Sequence, residues 1–206
     1  NARCVSYVAQ SDSWREEPAL PVPLHHAALA SAGDALVLAG GYNGGYSHIW
    51  RMSREVYRLG EGGWEPMVKL PNAQAEGVFA TSPTGSLHLV GGQSPRGEAN
   101  SARSDHREVG AHWVLNISAQ QWESRAPLPT VRNSATGGWI GQQLVVTGGR
   151  TSAGNLAVTE IYDAREDRWR TAAPMLLPQA GTASVVVGDS LLVFGGEIFQ
   201  PNAAVF

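Results

Sequence analysis

A single cysteine, Cys4, stands among 206 residues, so no disulfide can form within the chain and a reducing or an oxidising compartment is equally compatible. No apolar run approaches the roughly 20 residues of a membrane-spanning helix, and no membrane partner is expected. Basic charge is scarce: 15 Lys and Arg stand against 18 Asp and Glu, a net charge of -3, without the cationic stripe that phosphates require. Nucleic acid is therefore not an expected partner. Helical periodicity is missing, because no window of a dozen residues holds an apolar i, i+3, i+4, i+7 stripe free of Gly or Pro. The first ten residues show neither the basic start nor the apolar stretch of a signal peptide. Absent as well are a Gly-x-Ser-x-Gly elbow and a phosphate loop, which removes two broad enzyme classes.

What the chain has instead is punctuation. It holds 24 glycines and 12 prolines, yet 43% of it is hydrophobic, so turns abound without the apolar poverty of a disordered segment. Four apolar runs stop on a glycine pair: LVLAGG at 36–41, LHLVGG at 87–92, LVVTGG at 144–149 and LLVFGG at 191–196. Tryptophans 14, 64, 122 and 169 alternate with these doublets. From each tryptophan to the next doublet is 26, 27, 26 and 26 residues, whereas the return is 24, 31 and 21. One half of the repeat has a fixed length and the other absorbs insertions, as a scaffold with variable loops does.

Within residues 132–172 the pattern predicts four short strands: NSATGGWI as strand a, QQLVVTGG as b, AVTEIYDA as c and RWRTAAP as d. Strand a is rich in small residues, which suits a crowded central axis. Strand b is apolar because sheets pack on both its faces, and the glycine pair then lets the backbone bend past a close neighbour. Repeated radially, the unit makes an all-β propeller of four-stranded antiparallel blades. The repeats are expected at about 1–24 (partial), 25–74, 75–131, 132–177 and 178–206 (partial), in a single domain. Residues 1–18 supply a c–d pair and 178–199 an a–b pair, which could join as a fourth blade. Alternatively the chain is a fragment of a six-bladed propeller, cut at both ends. The fragment is favoured because 202–206, read as a strand just starting, would compete with residues 4–7 for one slot.

The doublets, the tyrosine seven residues before a tryptophan in IYDAREDRW, VYRLGEGGW and SYVAQSDSW, and the proline turn that follows resemble kelch repeats. In HWVLNISAQQW, Leu115 stands where that tyrosine is expected. More narrowly, NLAVTEIYDAREDRW at 155–169 and LLVFGGEIFQPNAAVF at 191–206 are similar to bacterial kelch proteins of the galactose-oxidase-like group, usually six-bladed. That resemblance implies a periplasmic or secreted protein. It does not extend to copper oxidase chemistry, since Cys4 lies on an outer strand with no Tyr, Tyr, His, His set behind it, and no cofactor is expected.

In an antiparallel meander the b–c loops and d–a links emerge on one face. That face collects the candidate ligand-binding residues His25, His26, Asn43, Arg132, Asn133, Arg150 and Glu197, together with Tyr42, His48 and Glu76. Neighbouring strand residues point opposite ways, so at most one of His25 and His26 should face the channel. The long insertion at 92–113 is expected to be a solvated loop; its Asp105, His106, Glu108 and His112 have no familiar metal spacing, and no metal is assigned. NIS at 116–118 is formally a glycosylation sequon. The expected function is a binding module for a small polar ligand, such as a carbohydrate, or for a protein loop. The alternative is an isomerase: GEANSARSD at 97–105 is similar to the corresponding loop of bacterial sialic-acid mutarotases, which implies catalytic roles for Glu98 and Arg103.

Overall fold

The computed structural model describes residues 2–43 and 49–197, so His48 and the strand expected at 202–206 lie outside the described residues. The chain opens with a hairpin, β1 (Cys4–Val8) and β2 (Ser13–Glu17). Blade one follows as β3 (Ala28–Ala32), β4 (Ala35–Ala39), β5 (Val56–Gly60) and β6 (Gly63–Pro66). Blade two takes β7 (Val78–Thr81) and β8 (Leu87–Val90), then departs into a small hairpin, β9 (Gln93–Pro95) and β10 (His106–Glu108), before β11 (His112–Asn116) and β12 (Gln121–Ser124) complete it. Blade three is β13 (Thr136–Ile140), β14 (Gln143–Thr147), the two-residue hairpin β15 (Arg150–Thr151) and β16 (Gly154–Asn155), then β17 (Thr159–Asp163) and β18 (Arg168–Ala172). A last hairpin is β19 (Ala183–Val187) and β20 (Ser190–Phe194). All pairings are antiparallel and each blade is a plain meander. A single 3-10 turn, Arg103–Asp105, is the only helical element among the described residues. The hairpins β1–β2 and β19–β20 stay separate two-stranded sheets.

Strands β3, β7, β13 and β19 lie side by side from blade to blade, which makes the small-residue strands the inner ones. The glycine pair is the clamp between blades. Gly40, Gly91 and Gly148 have φ of 64, 66 and 65°, and a Cβ there would sit 2.1, 3.0 and 2.6 Å from the carbonyl oxygens of Gln74, Arg132 and Gln179 in the next blade. The following glycines, 41, 92 and 149, donate their N–H to those same three oxygens, each at 2.8 Å. The first glycine makes room for a carbonyl that the second one binds.

A second bond runs the other way. The indole N–H of Trp64, Trp122 and Trp169 donates to the carbonyls of Pro18, Val68 and Ala126 in the preceding unit, at 2.9, 3.2 and 2.8 Å. Tyr7, Leu115 and Tyr162 pair with the tryptophan seven residues on, but in blade one a tighter turn puts Leu59 opposite Trp64 and Tyr57 opposite Pro66. Equal spacing there hides a different register.

Between blades one and two the core is apolar, built from Val37, Val56, Leu70, Leu87, Leu89 and Leu115. Each such side chain contributes about 1.5–3 kcal/mol relative to exposure. Between blades two and three Val78, Val90, Leu128, Leu144 and Val146 pack with Tyr162, and buried polar groups join them.

Candidate functional site

The face of the b–c loops and d–a links is built by two repeated backbone devices. His25, Ala75, Asn133 and Ala180 each bridge to the residue just after a doublet, namely Tyr42, Gln93, Arg150 and Glu197. The next residue, His26, Glu76, Ser134 or Gly181, takes φ of 51, 59, 52 or 64°. Their main chains link blade to blade, with Glu76 N–H donating to His26 O, Ser134 to Glu76 and Gly181 to Ser134. This left-handed step corrects the expectation for His25 and His26: strand alternation does not apply, and the two rings meet. The His25 Nε2–H donates to Ile49 O at 2.6 Å, leaving His25 Nδ1 to accept from His26 Nδ1–H at 2.7 Å.

At the centre of this face Tyr42 is fully buried, stacked between His25 and His106 with centroids 5.1 and 5.6 Å away and Trp50 on its edge. Its hydroxyl donates to Glu76 Oε1 at 3.0 Å and lies 3.0 Å from the Gln93 amide. Burial, helped by the Glu76 charge, raises the phenol well above its usual range, so it remains a donor. Glu76 also accepts from Ser134 at 2.5 Å and pairs with Arg150 at 3.4 Å. Arg150 reaches Glu197 at 2.7 Å and Asn133 Oδ1 at 3.2 Å.

The insertion of blade two is solvated over 96–99 and 101–104, as expected, but its base is more ordered than its composition suggests. It folds back as β9–β10, and Asn100 ties it to blade one by accepting from Met52 N–H at 2.8 Å and donating to Met52 O at 2.9 Å. Asp105 caps the 3-10 turn, accepting from the backbone N–H of Ser101 and Ala102. The hairpin places Arg103 over the Trp50 ring, 4.5 Å from its centroid. It also buries His106, neither of whose ring nitrogens has a hydrogen-bond partner among the described residues, and burial lowers its pKa.

A cavity of about 300 Å³ opens between β9–β10 and β15–β16, walled by Arg96, Arg103, His106, Glu108, Asn133 and Arg150. Of the residues singled out by sequence, Arg103, Asn133 and Arg150 meet in this cavity and Glu197 reaches it through Arg150. His25 and His26 adjoin it behind Tyr42. Glu98 does not face it: that residue lines a separate groove of about 450 Å³ with Arg54 and Arg107. Asn43 lines another beside Arg51 and Asn100.

Arg132 is a correction. It is fully buried, donating to Glu160 at 2.5 Å, to Thr130 O at 2.9 Å and to Val146 O at 3.1 Å, so its guanidinium holds the core rather than a ligand. His112 likewise leaves the insertion. It donates to Ala126 O and accepts from His88, 2.9 Å away, between blades two and three. No three His, Cys, Asp or Glu residues gather as a metal site among the described residues. Sequence reasoning missed Arg96 and Trp50. Arg96 sits in a Pro-Arg-Gly turn whose direction only the fold shows.

The kelch motif profile matches residues 132–176. The chain is 25% identical over 191 residues to Kelch-like protein terF of Aspergillus terreus, covering 90% of this chain and 41% of that protein. It is 26% identical over 195 residues to human Kelch-like protein 34, covering 92% of this chain and 28% of that one. The chain thus spans less than half the length of these curated relatives. The solved structure of YjhT superposes with a TM-score of 0.69 at 17% identity, over 84% of this chain and 52% of that one. Together with the doublets and the meander blades, these likenesses support a kelch-repeat protein with the kelch β-propeller fold.

Proposed function

We propose that the chain is a binding module that holds its ligand on the face of the b–c loops and d–a links, and that the ligand is a loop of a partner protein. The observation that carries this reading is the cavity walled by Arg96, Arg103, Asn133 and Arg150, contributed by variable segments of two blades on a constant scaffold. The opposite face carries tight a–b turns such as those at Gly33 and Gly188, with an open groove of about 630 Å³ at Asp34, Arg58, Glu61 and Glu65 that lies between turns of constant length. Kelch-like relatives along most of the chain favour a protein ligand. A small polar molecule such as a carbohydrate is the second reading, favoured by the modest size of the cavity. The isomerase reading has less support, because Glu98 and Arg103 line different cavities. A bacterial, exported, galactose-oxidase-like protein of six blades is supported by the residue resemblance at 155–169 and 191–206; terF and Kelch-like protein 34 come from a fungus and from human.

Selection of binders from a displayed random-peptide library tests the reading. Selected peptides should lose about tenfold or more in affinity with Arg103→Ala and be unchanged by Asp34→Ala or Asp189→Ala in the opposite turns. The reverse pattern would put the site on the other face.

A further inference from the structure

We infer that the paired imidazoles of His88 and His112 form an acid-operated latch: on protonation the outer half of the seam between blades two and three parts, while the seam between blades one and two stays shut. The inference stands on this seam alone and is independent of the reading of the ligand face.

The geometry carries the first step. His88 on β8 and His112 on β11 are 6% and 2% exposed, and their rings meet nitrogen to nitrogen at 2.9 Å. Because a carbonyl only accepts, His112 Nδ1–H donates to Ala126 O at 3.2 Å, and His112 Nε2 then accepts from His88 Nδ1–H. The arrangement needs His112 Nε2 unprotonated. Blade three closes over it with aromatic rings, Trp139 lying 4.8 Å from His88 and Tyr162 4.5 Å from His112. A first proton, taken up at His88 Nε2, makes a buried cation. A second, at His112 Nε2, turns the acceptor of the pair into a donor and breaks the bond.

The carboxylates near the pair are already engaged. Asp167, in the turn between β17 and β18, accepts from Tyr162 Oη–H at 2.7 Å and from Ala126 N–H at 2.9 Å. Glu160 on β17 is held by Arg132, and Glu123 on β12 by Arg125. Arg125 adds a like charge that disfavours either cation. Strands β7 and β13 bring no charged residue, and β18 presents Trp169, with Arg168 and Arg170 on its other face.

The second step is what the latch holds. Ala126 O takes the indole N–H of Trp169 as well as His112, and Ala126 N–H goes to Asp167, so one peptide of blade two carries the outer cross-blade bonds. Deeper in the seam the buried ion pair of Arg132 and Glu160 holds the inner half. Ala126 begins the link that ends at Asn133 in the cavity wall, so the latch stands one link away from the ligand face. Parting the outer half exposes both rings to water, where each takes up a proton below about pH 6.5.

Hydrogen exchange followed by NMR at pH 7 and pH 5, corrected for intrinsic rates, tests the latch on the full chain. Each ring that opens to water multiplies the open population by about 30 at pH 5 and by almost nothing at pH 7, so two rings give on the order of several hundredfold. The Ala126 amide and the Trp169 indole should lose that much protection. The Trp122 indole, which donates to Val68 O across the apolar seam, should change by less than about threefold. His88→Gln keeps a donor for His112 Nε2 and should cut the loss to about 30-fold, and His88→Gln with His112→Gln should abolish it. Equal losses at Trp169 and Trp122 would mean that acid opens the whole chain. No loss at Trp169, or a full loss in the double variant, would mean that the histidines are no latch; each of these results overturns the inference. Should the double variant not fold, the wild-type rings decide. Their C–H shifts should show both imidazoles neutral down to pH 5, and a midpoint near about 6.5 for either ring overturns the latch.

Discussion

The two inter-blade seams are built from different chemistry. Between blades one and two, Val37, Val56, Leu70, Leu87, Leu89 and Leu115 make a dry apolar contact. Between blades two and three, Leu128, Leu144 and Val146 share the space with the Arg132–Glu160 pair and with His88, His112 and Tyr162. The side chains of the dry seam are held by apolar burial, which does not depend on pH, and its cross-blade bonds, such as Trp122 N–H to Val68 O, involve no titrating group. The polar seam is held by partners that must all be present, and it adjoins the cavity: Asn133 follows Arg132 and exchanges both backbone hydrogen bonds with Arg150, at 3.0 and 2.9 Å. The polar seam thus sets the Asn133–Arg150 side of the ligand face, while Tyr42 with Glu76 and Asn100 with Met52 set the side toward blade one.

The largest effect should come from stranding one partner of the polar seam. Glu160→Ala leaves the fully buried Arg132 uncompensated and should cost about 3–5 kcal/mol in denaturant unfolding, whereas replacing both residues by Met and Leu should recover most of it. Leu115→Ala in the dry seam should cost about 2–4 kcal/mol, equally at pH 7 and pH 5. A cost there that varied with pH would break the comparison.

Acid sharpens it further. Burial lowers His88 to about 3 and His112 to about 4 from an unfolded value of 6.5, so below that value the unfolded chain binds protons that the folded one refuses. Stability should be full above about pH 6.5 and fall progressively as pH drops towards 4, by on the order of a few kcal/mol, and His88→Gln with His112→Gln should flatten that decline. The smallest effects concern the clamps. Gly148→Ala should cost about 1–3 kcal/mol more than Gly195→Ala, because both have φ of 65° but only Gly148 faces a carbonyl, at 2.6 Å from the added Cβ. Trp169→Phe should cost about 1 kcal/mol through its lost bond to Ala126 O.

The scaffold was legible because its demands fall on single positions. A doublet needs glycine twice, for φ and for space, and nothing else fits, so it recurs at a fixed distance from a tryptophan. The site was legible only in part. Asn133 and Arg150 meet as the meander requires, but Arg132 carries the same kind of side chain into the core. The clue was Glu160, which stands two residues before Tyr162 in one strand and so shares its buried face; a buried carboxylate needs a buried cation. The positive φ at His26 has no such signal, because Gly, Ser and Glu fill the equivalent places. The order at the base of the insertion was not legible because it comes from the β9–β10 pairing and from Asn100 gripping Met52, 48 residues away in sequence.

The fold's main consequence for function is which of its two faces binds. Amide chemical-shift mapping with a display-selected peptide measures this residue by residue. The largest shifts should fall on residues 93–108, 133–134 and 150–155, around the arginine cavity, while the turns at 33–34, 84–85, 141–142 and 188–189 stay in place. Shifts concentrated in those turns, with the arginine cavity silent, would contradict the account.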